Sequence, residues 1–205
     1  MLSQNILQNF ADILDGIPLE DIAELFKKAS SKTISAGEVY IQLREETKKL
    51  AYIESGIIRV FTYKENGDEA TLLLRWEDHF IGSHDAILLN KPSKFIYQAL
   101  EETHILEIDY SEVEKIMAEN PKFEPLRNNV LMSMLGASLN IIEDFILLNP
   151  EERYKKLVAE KFNIVNRVHD KYIASMLGIT PVSLSRIRQR IAKKSKIIFC
   201  YLLCL

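Results

Sequence analysis

The chain has 205 residues, 47% apolar and 27% charged, with a net charge of −3 and two cysteines. That length suits one large domain or two small ones with an ordinary soluble core. Cys200 and Cys204 both fall in the last six residues, which excludes a disulfide framework and points to a reducing cytoplasm. The longest apolar run, Ile197 to Leu205, is nine residues, too short to span a bilayer. No basic stretch precedes an apolar one at the start, so a signal peptide is not expected.

In chain order, Ile6, Phe10, Ile13 and Leu14 recur at helical spacing until Gly16. Pro18 suits the first turn of a second helix, with Ile22, Leu25 and Phe26 on its buried side. From about Thr33 to Ile108 the texture changes to short β-branched and aromatic segments: VYIQL (39–43), KLAYIES (49–55), IIRVFTY (57–63), ATLLLRW (70–76), KFIYQAL (94–100) and HILEID (104–109). Asn66-Gly67 between two of these is a hairpin signal, both residues tolerating positive φ. Many short strands with frequent turns predict a closed barrel or sandwich.

After Tyr110 the pattern is helical. Ser111 is a candidate cap for SEVEKIMAEN, and Pro121 interrupts it. A long helix is predicted from about Lys122 to Leu148, on the order of 40 Å at ~1.5 Å per residue. It carries Leu131, Leu135, Leu139, Ile142 and Ile146 at three- and four-residue steps, while Met134, Ile141 and Phe145 widen the stripe. Two readings follow: a buried core helix, or a helix that covers the barrel with one side and pairs with a second copy through the other. Asn149-Pro150 ends it and offers a hinge.

The segment DKYIASMLGITPVSLSRIRQRIAKK (170–194) has the pattern of two helices joined by a tight turn. Asp170 is a candidate cap for a helix from Lys171 to Leu177, Gly178 supplies a left-handed turn, and Thr180 caps a second helix beginning at Pro181. On the second helix Leu184, Ile187 and Ile191 form an apolar back. Val182, Arg186, Gln189 and Lys193 form the opposite face, flanked by Ser183, Ser185 and Arg190. A recognition helix needs this division. Arg186 suits a bidentate contact to guanine and Val182 a thymine methyl; Ser183, Lys171, Arg190 and Lys193 suit phosphates. Charge agrees: residues 171–196 hold seven basic side chains and no acid, a local +7 that leaves −10 for the rest. The bland readings are a solvated basic tail or a generic helical hairpin.

No nucleophile–base pair, metal cluster or nucleotide loop is visible, so no enzyme is expected. Ser83-His84-Asp85 are consecutive and cannot converge as a triad. His79, His84 and His104 lack a second ligand at metal spacing, as do Cys200 and Cys204. Arg75 and Trp76 close a strand and either line a pocket or sit as surface arginine and core tryptophan.

Taken together, the order of parts resembles the Crp/Fnr family of regulators, over about Leu19 to Lys194. The resemblance rests on Gly37 in SAGEVY, Gly56 in ESGIIRVF, Gly67 in ENGDEA, Gly82 in HFIGS, and IASMLGITPVSLSRIR in the helical hairpin. It looks most like a short branch found in Bacteroidetes-type bacteria. It implies an α+β fold with an N-terminal double-stranded β-helix or jelly-roll sensor barrel with flanking helices (1–120). A long dimerisation helix (121–149) and a winged-helix-like helix-turn-helix domain (150–205) would follow. It also implies a cytoplasmic homodimer that binds double-stranded DNA and an unidentified small-molecule effector, with RNA polymerase as a candidate partner. The effector pocket would include Gly82, Ser83, His84, Lys94 and Arg75.

Three departures qualify this. Cyclic-AMP sensors of the family carry Gly-Glu and then an Arg-Ser pair for ribose and phosphate; here Ser83 follows Gly82, and NKPSKFIYQ offers no arginine, its nearest cation being Lys94, a point charge without a bidentate fork. The N-terminal cysteines of iron–sulfur relatives are absent, so no cofactor is expected. The winged ending is replaced by SKIIFCYLLCL, either a packed strand or an atypical terminus. The alternative function is a ligand- or protein-binding module with a vestigial helix-turn-helix.

Overall fold

The computed structural model describes residues 27–202; the two helices expected before Lys27, and Cys204, lie outside them. Eight strands come first: β1 (Ser30–Ile34), β2 (Val39–Ile41), β3 (Lys49–Ser55), β4 (Ile58–Tyr63), β5 (Glu69–Arg75), β6 (Phe80–Gly82), β7 (Ile96–Ala99) and β8 (Thr103–Asp109). They pair antiparallel into two four-stranded sheets, β1-β8-β3-β6 and β2-β7-β4-β5. This interleaving is that of a jelly roll. Ala51, Ile53, Ile81 and Ile105 from one sheet meet Ile41, Ile58, Val60, Tyr97 and Ala99 from the other. Each buried aliphatic or aromatic side chain contributes roughly 1.5–3 kcal/mol, so this interior layer dominates the stability of the barrel.

Two turns show why glycine is required. In the β4–β5 hairpin Gly67 has φ +84, and its N–H bonds the Lys64 carbonyl at 2.9 Å. Asn66 does not share the positive φ expected of it; its side chain accepts from the Asp68 N–H at 3.1 Å instead. Gly56 has φ +103, and a Cβ there would lie 2.6 Å from the Thr103 Cα.

The helices are α1 (His84–Leu89), α2 (Tyr110–Glu119), α3 (Glu124–Leu147), α4 (Pro150–Glu160), α5 (Ile164–Arg167), α6 (Asp170–Met176) and α7 (Pro181–Leu202), with a 3-10 turn at Pro121–Phe123. Ser111 is not the cap of α2. The helix starts at Tyr110 with Asp109 in the cap position, two residues earlier, and the Tyr110 N–H is satisfied by the Lys48 carbonyl at 2.7 Å. The chain divides after Asn140 into two compact units. All elements of the second unit are helical among the described residues. There the tail expected as a strand or an atypical terminus continues α7 to Leu202, since nothing from Lys193 to Leu202 is Gly or Pro to stop it. Among the described residues no helix is long and apolar enough to cross a membrane.

Candidate functional site

In the second unit, α6 and α7 meet across Gly178, whose φ of +71 gives the left-handed turn. The Ser183 N–H bonds Thr180 Oγ1 at 3.1 Å, so Thr180 caps α7 as expected, with Pro181 at its first position. Asp170 does not cap α6. It is the first residue of that helix, and Arg188 Nη1 donates to both its carboxylate oxygens at 2.7 and 2.8 Å. Arg188 Nε also donates to the Tyr154 hydroxyl at 3.1 Å. One guanidinium thus ties α7 to the start of α6 and to α4.

The back of α7 is buried through Leu184 and Ile187, against a core that includes Tyr154, Leu157, Ile164, Ile173, Ala174 and Leu177. The opposite face is open: Val182 is 62% exposed, and Arg186, Gln189, Arg190 and Lys193 are exposed. Ser183 is half-buried, with its hydroxyl 3.0 Å from Thr180 Oγ1. Lys171 is exposed, its Nζ 4.7 Å from the Tyr172 ring centroid. The structure therefore gathers Val182, Arg186, Gln189 and Lys193 on one solvent face, with Arg190 beside Glu151 at 3.6 Å.

Asn149-Pro150, expected as a hinge, is a braced corner. Asn149 and Glu152 form a reciprocal capping box. Arg153 donates to the carbonyls of Leu148 at 2.6 Å and Leu177 at 3.0 Å, and Lys156 pairs with Asp144 at 2.6 Å. Sequence reasoning missed Arg153 and Arg188, which reach Leu177, and Asp170 and Tyr154, across 18 or more residues.

In the barrel, the Tyr97 hydroxyl donates to the Gly82 carbonyl at 2.8 Å. A Cβ on Gly82 would meet the Lys49 carbonyl at 2.8 Å. Ser83 is fully buried and caps α1 by accepting from the Ala86 N–H at 3.3 Å. Asp85 is the residue that sequence reasoning missed. Its buried carboxylate accepts from the Lys94 N–H at 3.1 Å and pairs with Lys94 Nζ at 3.5 Å. The Ser93 hydroxyl is used locally, donating to the Phe95 carbonyl at 2.8 Å. A capping serine followed by an acid in the first turn is a helix-start signal that could have identified the Ser83 cap, though not the pairing of Asp85 with Lys94.

Burial, then the charge of Arg75, lowers the pKa of His79 and of His84 below the ordinary value of 6.5. Burial and the Asp85 carboxylate push Tyr97 up to about 12. Tyr97 thus meets Gly82 through its hydroxyl, Asp85 meets Lys94, and the charge of Arg75 is felt by His84 and Tyr97. His104 lies apart, 2.9 Å from Thr33 Oγ1 on the β1–β8 pair. Among the described residues no three His, Cys, Asp or Glu side chains group as a metal site.

Along α3, which includes position 131, Leu135, Leu139, Ile142 and Ile146 are all exposed, Ile146 by 75%. Steps of four, three and four residues place them on one seam.

A jelly roll followed by a helix-turn-helix defines a class of two-part regulators, and comparison with known proteins agrees. Residues 31–120 match the family described as Cyclic nucleotide-binding domain. Electron transport regulator A of Shewanella oneidensis is 27% identical over 193 residues, covering 87% of this chain and 73% of that protein. The Fumarate and nitrate reduction regulatory protein of Vibrio cholerae is 26% identical over 176 residues, covering 79% and 68%. Among solved structures, FixK2 from Bradyrhizobium japonicum shares the fold at a TM-score of 0.66 and 17% identity, over 82% of this chain and 86% of that one. A CooA mutant from Carboxydothermus hydrogenoformans does so at 0.64 and 22%, over 88% and 86%. Residues 31–120 thus match a cyclic nucleotide-binding domain, and over most of its length the chain is similar to Crp/Fnr-type regulators.

Proposed function

We propose that the chain is a sequence-specific DNA-binding transcription regulator whose barrel senses a small molecule other than cyclic AMP. In this reading residues 1–120 are the sensor, 121–149 the dimerisation helix and 150–205 the DNA-binding domain. The observation that carries it is the two-sided character of α7: a back buried through Leu184 and Ile187, and a front that exposes Val182, Arg186, Gln189 and Lys193. Arg186 and Val182 read bases, while Ser183, Lys171, Arg190 and Lys193 hold phosphates. Leu131, Leu135, Leu139, Ile142 and Ile146 pair with a second copy, and the effector sits near Gly82, Ser83, His84, Lys94 and Arg75.

Fluorescence anisotropy with a labelled duplex tests the reading. Neutralising about six phosphates makes affinity fall on the order of a thousandfold between about 50 and 200 mM salt. Binding that steep is the expected result. No duplex binding at the lower salt would favour a ligand- or protein-binding module with a remnant helix-turn-helix.

A further inference from the structure

We infer that Glu151 is a built-in counter-ion for Arg190, one that weakens duplex binding and flattens its salt dependence. The inference rests on the DNA-binding reading above and adds a residue outside α6 and α7.

Glu151 lies in the first turn of α4, where the Asn149 side chain holds its backbone N–H at 3.0 Å. Its side chain is only 15% exposed and is anchored by Lys155 Nζ at 2.9 Å. Arg190 approaches from α7, its Nη2 at 3.6 Å from Glu151 Oε2, with a side chain 61% exposed. The contact is an ion pair too long to be a hydrogen bond, so it attracts without fixing a direction. The Arg188–Asp170 pair, at 2.7 and 2.8 Å, is the opposite kind of contact. The acid is therefore the confined partner and the arginine the exposed one.

A duplex phosphate next to Arg190 must compete with that carboxylate for the same charge. While the pair persists, Arg190 holds its phosphate only weakly and contributes little to the salt slope. Removing the carboxylate without changing its shape releases the arginine to a phosphate.

Anisotropy titrations of the full chain against a 30-base-pair duplex of arbitrary sequence, repeated across salt, decide this. Glu151→Gln should bind more tightly than wild type at low salt, with a slope steeper by about one phosphate. Between about 50 and 200 mM salt it should lose about three- to four-fold more affinity than wild type does. Lys155 is also released by that change, so Glu151→Gln/Arg190→Ala is measured as well; it should revert to the slope of Arg190→Ala alone. A weaker Glu151→Gln, or an unchanged slope, overturns the inference, as does a double variant that keeps the steeper slope. If wild type shows no salt-dependent binding, the DNA-binding reading itself fails.

Discussion

Arg186 and Lys193 are both exposed on α7, yet their chemistry predicts different losses. A guanidinium can make two parallel bonds to one guanine edge, whereas an ammonium is a point charge that any phosphate satisfies. Arg186→Ala should therefore cost about 1–3 kcal/mol on the cognate site and relax preference at one position per half-site. Lys193→Ala should weaken every duplex to a similar degree. Identical sequence preferences for wild type and Arg186→Ala, in a selection from random duplexes, would remove Arg186 from the reading role. His79 gives a second prediction at this scale. Its ring packs edge-on against Trp76, with Nδ1 donating 3.2 Å to the Trp76 and Glu77 carbonyls. The folded chain holds His79 and His84 below their ordinary pKa of 6.5, so the unfolded chain takes up the proton first. Their contribution is intact above that pH, declines as pH falls below it, and levels off below each ring's own pKa. The urea midpoint should drop between about pH 7.5 and 5.5, and His79→Gln should shrink the drop. A midpoint that rises toward pH 5.5 would contradict the burial of these rings.

At the scale of elements, what was legible in the sequence depended on whether the signal was local. The α6–turn–α7 unit could be read because Gly178, Thr180 and Pro181 each answer a backbone demand at their own position. The β3, β4, β5 and β8 strands could be read from their β-branched and aromatic runs. β1 could not, because of its five residues, SSKTI, only Ile34 is buried and the rest lie along a sheet edge. β6 is three residues long, too short for a period to register. The roles of Asp85, Arg153 and Arg188 were not legible because each is set by a partner that only the fold brings near. The long helix lies between these cases: periodicity showed an apolar surface on α3 but left open what covers it. Leu135, Leu139, Ile142 and Ile146 stand in solvent in the single chain, which favours a second copy as the cover. Ile142→Asp should then give monomers by light scattering and much weaker operator binding. The operator of the intact dimer should be an inverted repeat with half-sites about 34–36 Å apart. An unchanged dimer would place the interface elsewhere.

For the molecule as a whole, the question is what the barrel detects, and its charges argue against a cyclic nucleotide. Such a ligand presents one phosphate charge and one ribose hydroxyl, and relatives that sense it meet each with a dedicated side chain. By the resemblance Ser83 takes the place of the ribose carboxylate, and its hydroxyl already caps α1. The one cation of NKPSKFIYQ within reach, Lys94, already shares its charge and its backbone N–H with Asp85. A phosphate drawn to Lys94 would also lie beside the buried Asp85 carboxylate, which repels it. A charged hydrogen bond contributes ~1.5–3 kcal/mol, so losing two weakens binding by roughly two to four powers of ten. Isothermal titration with cyclic AMP and cyclic GMP should therefore show no micromolar binding. Asp85→Asn supplies the internal control. It keeps the shape of the side chain while removing the repulsion, so it should bind either nucleotide better than wild type does, though still weakly without the ribose partner. Micromolar binding by the wild type, coupled to tighter operator binding, would mean that Asp85 moves aside for the ligand and that the barrel is a nucleotide sensor after all.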